Sequence, residues 1–466
     1  MSFVELTSQD VAQILKSHHT FYHTYQTLPI DFRITQLKKL KDAIKRYETQ
    51  IHNALRKDLG KHEFESYATE TGLVLGSISH TIKHLKKWSK PKKVSTPIHL
   101  FPSRSFIMNE PYGTVLIIGP YNYPFQLLIE PLIGAIAAGN CAVLKPSENV
   151  PHVAAVITQM LTATFDTAYI RSVLGGVETN ISLTHAPFDY IFFTGSVGVG
   201  KSVMAAAAKN LVPITLELGG KSPVIIDESA NIKVAAKRIM WGKTLNAGQT
   251  CVSPDYVLVH ESVKDELIAA MKLSLKAFYG EDPQKSPDFG RIVNSNHFNR
   301  LQAILTQDKK NIIHGGHTSL ENLFIEPTLI DAFSWDAPCM SEELFGPILP
   351  IMSYTHLEDA LTAIKQRPKP LALYLFTQNQ QVKEKVLKEV SFGGGFINDT
   401  ITHLANPKLP FGGVGQSGMG AYHGEYSFTT FSHQKSIMSK TTKFEIPLIF
   451  PPYTPSKLKA IRQFMK

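Results

Sequence analysis

TVLIIG (114–119), CAVLKPS (141–147), YIFFTGS (190–196) and PVIIDE (223–228) are four short apolar runs, each closed by a glycine, proline or polar turn. Between them lie stretches whose apolar residues recur at helical spacing. Runs without polar alternation are strands buried on both faces, and strands alternating with helices make a parallel sheet. Such sheets bind ligands outside the carboxyl ends of their strands, where the crossover loops open. Most of the glycine-rich and polar segments that draw attention in this chain follow those ends. A second series of strand-like runs, from YVLVH (256–260) to LYLFT (373–377), predicts a second α/β domain.

Ahead of the sheet, Leu37, Leu40, Ile44, Tyr47, Ile51 and Leu55 mark an amphipathic helix over 34–59, with Gly60 as its stop. Val74, Ile78, Ile82 and Leu85 mark another that runs to about Ser89, because Pro91 prevents continuation. Residues 92–112 read as extended.

At 466 residues, with 43% hydrophobic and 19% charged side chains, the chain is long enough for two or three folded domains. Cys141, Cys251 and Cys339 form no metal-ligand or disulfide spacing, so free thiols, no metal and a cytoplasmic location are expected. The start, MSFVELTSQDVAQILK, lacks the basic and apolar regions of a targeting segment, and no apolar run is long enough to span a bilayer. The net charge of +9 is concentrated in KHLKKWSKPKK (83–93) and SKLKAIRQFMK (456–466), without a nucleic-acid module beside either. No nucleic acid is expected. In the tail, Leu458, Ile461 and Phe464 lie among Lys457, Lys459, Arg462 and Lys466, the pattern of a short helix in weak contact with an anionic membrane surface.

Four segments carry candidate chemistry. FTGSVGVGK (193–201) ends a strand and opens a helix near Gly200, so its amides can face a phosphate, although the glycine spacing departs from GxGxxG. GQTC (248–251) puts Cys251 in a polar loop that would leave a thiol accessible and lower its pKa; a small buried hydrophobe is the alternative. ELGGK (217–221) places Glu217 after the apolar run PITL, where it is a working carboxylate, the partner of Lys221 or a helix cap. GPYNYP (119–124) offers the Asn122 amide, an oxyanion donor or simply a turn residue.

Taken in order, GPYNYP, KPSE, FTGS, ELGGK, GQTC, EELFGP and PFGGVGQSG closely resemble the aldehyde dehydrogenase superfamily across 119–418. NYPFQ, GGVGQSGMGAYHG and FPPY resemble its class 3 or fatty-aldehyde branch. The resemblance implies a Rossmann-like cofactor domain (1–91 and 113–216), an α/β catalytic domain (217–395), a small β bridging domain (92–112 and 425–445) that joins a homodimer, and a tail (446–466). It implies Cys251 as nucleophile, Glu217 as the base that activates hydrolytic water, and Asn122 as oxyanion donor. Lys145 and Glu148 would hold the adenosine ribose, Gly195, Ser196 and Gly200 the pyrophosphate, and Glu343 and Phe345 the nicotinamide half. Tyr123 and Trp241 would line the aldehyde channel and favour medium or long-chain or aromatic aldehydes. NAD is the expected cofactor, with NADP possible. A branch that passes the acyl group to coenzyme A, and a fold retained as a binding or structural protein, are the alternatives.

Overall fold

The computed structural model describes residues 4–332 and 334–465, so Lys466 lies outside the described residues. Strand Thr114–Ile118 sits inside a six-stranded sheet of order 418–419, 214–217, 190–194, 114–118, 141–145, 170–172. The last five are parallel, and Gly418–Met419 pairs antiparallel with Leu216–Glu217. Every residue of 114–118, 141–145 and 190–194 is buried, because helices cover both faces. Val115 and Ile117 enter one core with the helices Ile30–Leu59, Gly72–Trp88 and Gln126–Ala138; Leu116 and Ile118 enter another with Ser8–Tyr22 and Val197–Ala208.

After 114–118 the chain steps outward through 141–145 and 170–172, then crosses back to 190–194 on the other side. The order therefore reverses between 114–118 and 190–194. In a doubly wound sheet this reversal opens a crevice at the strand ends, here at Gly119 and Gly195.

A second, seven-stranded sheet has the order 312–314, 328–331, 348–354, 256–260, 223–226, 372–376, 394–397, with only its first pair antiparallel. A third sheet joins Lys92–Val94 and Ser103–Pro111 to Ser432–Lys440, all antiparallel. The long N-terminal helix spans Ile30–Leu59 and stops where Gly60 turns left-handed at φ 67°. Its successor spans Gly72–Trp88, preceded by a π-helical turn over Tyr67–Thr71. Among the described residues no helix is long and apolar enough to cross a membrane, and no cluster of three or more His, Cys, Asp or Glu could hold a metal.

Candidate functional site

A cavity of about 600 Å³ occupies the crevice at the sheet reversal. Asn122, Lys145, Glu148, Gly195, Ser196, Glu217, Cys251, Glu343 and Phe345 all line it. Gly200, Tyr123 and Trp241 do not.

Cys251 arrives by an unusual turn. Helix Ile232–Thr244 ends, and Asn246, Ala247 and Gly248 follow in left-handed conformation, with φ of 51°, 52° and 77°. A side chain at Gly248 would meet the Gly346 carbonyl at 2.3 Å, so glycine lets the GQTC and EELFGP loops touch backbone to backbone. Gln249 is buried and fixes the loop by donating to Asn246 O (3.0 Å) and Arg291 O (2.9 Å) and accepting from Val293 N (3.0 Å). The expected accessible thiol of lowered pKa is corrected by this structure. Cys251 is half-buried, and burial, reinforced by the Glu343 and Glu217 carboxyls, pushes its thiol up to about 12. Only the backbone N–H groups of Cys251 and Val252 pull the other way. Cys141 and Cys339 are buried free thiols.

Glu217 ends strand Ile214–Glu217, hydrogen-bonded through its main chain to the Gly195 N–H at 3.0 Å. Its side chain is buried, and neither carboxylate oxygen has a partner among the described residues. Burial raises its pKa well above the usual carboxylate value. The Lys221 alternative is settled by geometry: Lys221 pairs with Asp255 and donates to the carbonyls of Cys339 (3.0 Å) and Glu342 (2.8 Å). A buried acid without a partner is costly to fold around, which marks it for chemistry.

Lys145 is buried, and its ammonium reaches Pro146 O (2.9 Å) and Glu148 Oε2 (3.0 Å). Ser196 caps the helix Val197–Ala208, whose first turn lines the cavity through Val197, Gly198 and Val199. The helix thus begins three residues before Gly200. Gly200 lies inside it, where a Cβ would stand 2.6 Å from Leu218, so its role here is close packing. Glu343 lies against Gly219, where a Cβ would stand 2.1 Å from its carboxylate; burial, with Asp255 adding, raises it to about 8. Phe345 is held at a left-handed φ of 49°, edge-on to Tyr121 at 5.8 Å. Arg300, donating to the carbonyls of Glu343 (3.3 Å) and Leu344 (2.5 Å), fastens that loop. A dinucleotide suits this set: helix-terminal amides for its phosphates, a Lys–Glu pair at the 145–148 turn, and a carboxyl and ring near the thiol.

Tyr123 is buried with its hydroxyl 2.7 Å from Thr250 Oγ1, next to Cys251 in the chain, whereas Trp241 is 38% exposed on the last turn of its helix. Sequence reading missed the cavity-lining Arg300 and Tyr422 and the buried Lys243, whose ammonium has no hydrogen-bond partner among the described residues and is lowered to about 8 by burial. It also missed Lys61 and Glu70. Apart from Tyr422, which lies within GGVGQSGMGAYHG, none of these sits in a motif, and a lysine in a helix reads as a solvated face.

The description "Aldehyde dehydrogenase family" matches residues 1–437. A 4,4'-diaponeurosporen-aldehyde dehydrogenase of Staphylococcus aureus is 58% identical over 96% of this chain and 97% of that one. A Rattus norvegicus aldehyde dehydrogenase described as dimeric and NADP-preferring is 44% identical over 92% and 95%. A solved structure, the substrate-bound state of Staphylococcus aureus AldH, superposes with a TM-score of 0.96 at 57% identity, covering 98% of this chain and 99% of that one.

Proposed function

The chain belongs to the aldehyde dehydrogenase family and oxidises aldehydes with NAD or NADP, and from that premise we propose that it works through a thioester on Cys251. The observation that carries this reading is that one cavity is lined by Cys251, by Asn122 and by Glu217, whose carboxyl has no hydrogen-bond partner among the described residues.

Burial holds the Cys251 thiol protonated, so attack needs a base. Glu217, whose proton affinity burial raises, lines the same cavity and is the base we assign to take that proton. As the proton leaves, sulfur bonds to the aldehyde carbon and the carbonyl oxygen becomes an oxyanion. The Asn122 carboxamide makes no hydrogen bond among the described residues and is free to donate to it, together with the Cys251 N–H. When bound, the dinucleotide supplies the acceptor for the hydride that leaves this adduct. Glu217 passes the thiol proton to solvent and, as a carboxylate again, takes a proton from water; the water oxygen bonds to the thioester carbon, and the carbon–sulfur bond breaks. Sulfur recovers a proton and the acid departs. Lys145, Glu148, Gly195, Ser196, Glu343 and Phe345 are the residues we assign to the cofactor, in a domain formed by 1–91 and 113–216, beside a catalytic domain over 217–395.

We further infer medium or long-chain apolar aldehydes as substrates, supported by the relative named for 4,4'-diaponeurosporen-aldehyde. Each buried methylene adds about 0.8 kcal/mol, so efficiency should climb with chain length. A panel of aldehydes with NAD and with NADP, read by reduced-cofactor absorbance for wild type and Cys251→Ala, tests the whole reading. Activity surviving in Cys251→Ala, a flat chain-length profile, or turnover only with added coenzyme A would each overturn its part.

The nine-residue strand Ser432–Lys440 is an outer strand of its sheet, and its far edge has no partner strand among the described residues. Such an edge favours pairing with a second copy, so a homodimer is proposed, to be checked by light scattering. The tail forms helix Pro455–Phe464, leaving Leu458, Phe464, Phe450 and Tyr453 exposed beside Lys459 and Arg462. Weak contact with an anionic bilayer follows; a chain lacking 456–466 that partitions onto anionic vesicles as the full chain does would remove it.

A further inference from the structure

Lys61 and Glu70 are a buried ion pair that the proposed reaction does not use. Both side chains are 0% exposed, and the ammonium and carboxylate meet at 2.5 Å. Each also grips the 122–126 segment. The Lys61 ammonium donates to the main-chain carbonyl of Asn122 at 3.1 Å and lies 4.0 Å from the centre of the Tyr123 ring. The second oxygen of Glu70 accepts from the N–H groups of Phe125 (2.9 Å) and Gln126 (3.2 Å). Asn246, two residues before the GQTC loop, adds a bond to the same Asn122 carbonyl at 2.7 Å.

Local backbone delivers both charges. Gly60, left-handed at the end of the long helix, turns the chain so that Lys61 enters the interior. Glu70 sits in the π-helical turn Tyr67–Thr71, which inserts an extra residue into the helical repeat, a distortion concentrated at functional sites. Burying two charges is a poor route to stability, because their desolvation offsets most of their attraction. What the pair supplies instead is position. The Asn122 carboxamide has no hydrogen bond among the described residues, so its place in the cavity depends on the main chain that Lys61, Glu70 and Asn246 hold.

We propose that Lys61 and Glu70 are positioning residues for the oxyanion donor, clamping the Asn122 main chain from one side and Phe125–Gln126 from the other. This rests on Asn122 acting as that donor. The test is a double-mutant cycle of Lys61→Met and Lys61→Met/Glu70→Gln against Asn122→Ala, with kcat measured at saturating aldehyde and NAD. NADH binding by fluorescence and Cys251 alkylation by iodoacetamide serve as controls. Loss of an oxyanion donor costs about 10² to 10³ in rate, so either clamp variant should lose on the order of 10² in kcat. NADH affinity and alkylation should stay within about twofold of wild type, because neither reads Asn122. In the Asn122→Ala background the same changes should cost less than about threefold more, since coupled residues are not additive. Losses that multiply, or full kcat in Lys61→Met, would overturn the proposal while leaving Asn122 its role. An unchanged kcat in Asn122→Ala would instead overturn the donor assignment, and the positioning role with it. Should Lys61→Met fail to fold, Lys61→Arg and Glu70→Asp enter the same cycle and are judged by the same additivity.

Discussion

Replacing Glu217 with glutamine removes the base assigned to both halves of the proposed reaction. The substitution keeps the shape of the side chain and breaks no hydrogen bond, because neither Glu217 oxygen has a partner among the described residues. A buried hydrogen-bond loss would cost about 1–3 kcal/mol; here that cost is absent, so the melting temperature at pH 7 should fall by no more than about 2 °C. The linkage sign reinforces this. A carboxyl whose pKa is raised in the folded state binds more protons folded than unfolded, so its contribution is fully present below the unfolded value and is lost as pH rises through the folded one. Glu217→Gln therefore gains stability relative to wild type as pH rises. Activity should respond quite differently. Removing a general base costs about 10² to 10⁴ in rate, and hydrolysis needs that base, so kcat should fall by that factor. A rapid-quench assay with labelled aldehyde should show the protein-bound acyl group both forming and clearing more slowly than in wild type. A melting temperature many degrees lower would show Glu217 to be a structural residue. Unchanged steady-state turnover would refute its role as base.

Other outcomes follow from the same geometry. Burial raises the Glu130 carboxyl to about 7, with only Ser77 donating to it at 2.7 Å, so folded stability should fall as pH climbs from about 4.5 through 7. Glu130→Gln should flatten that slope, by up to roughly 3 kcal/mol between pH 4 and 8, in chemical denaturation. Alkylation of Cys251 in the absence of cofactor should stay slow at neutral pH and accelerate with alkalinity; Glu343→Gln should speed it at fixed pH by removing a carboxylate that disfavours the thiolate. Gly248→Ala would drive a Cβ to within 2.3 Å of the Gly346 carbonyl from a φ of 77°, so it should cost at least about 2 kcal/mol and lower kcat together with stability, measured by calorimetry and turnover.

The sequence was most legible where local rules act alone. Unbroken apolar runs identified the strands 114–118, 141–145, 190–194 and 223–226, because a strand buried on both faces has no polar residues to spare. Gly60 marked the end of the long helix, since few other residues accept its left-handed turn. The order of motifs identified the family before any fold was known. The helix after FTGS was placed three residues late, because serine at 196 and glycines at 198 and 200 each offer a plausible start and only the Ser196 cap decides it.

Electrostatics could not be read that way. GQTC looks polar along the chain, but the carboxyls that raise the Cys251 thiol arrive from Glu343 and Glu217, 92 and 34 positions away. A pKa depends on burial and on charges near in space, and one-dimensional neighbours report neither. Lys61 and Glu70 were invisible for the same reason: a lysine after a helix and a glutamate within one are ordinary surface residues until packing seals them against the Asn122 segment. Sequence by itself determined the strands and the end of the long helix, because these follow from residue type and spacing, and its motif order nominated the reacting groups by resemblance. Tertiary structure alone decided which charges face each other without water, and hence which carboxyls and thiols burial raises and which side chains hold the Asn122 main chain.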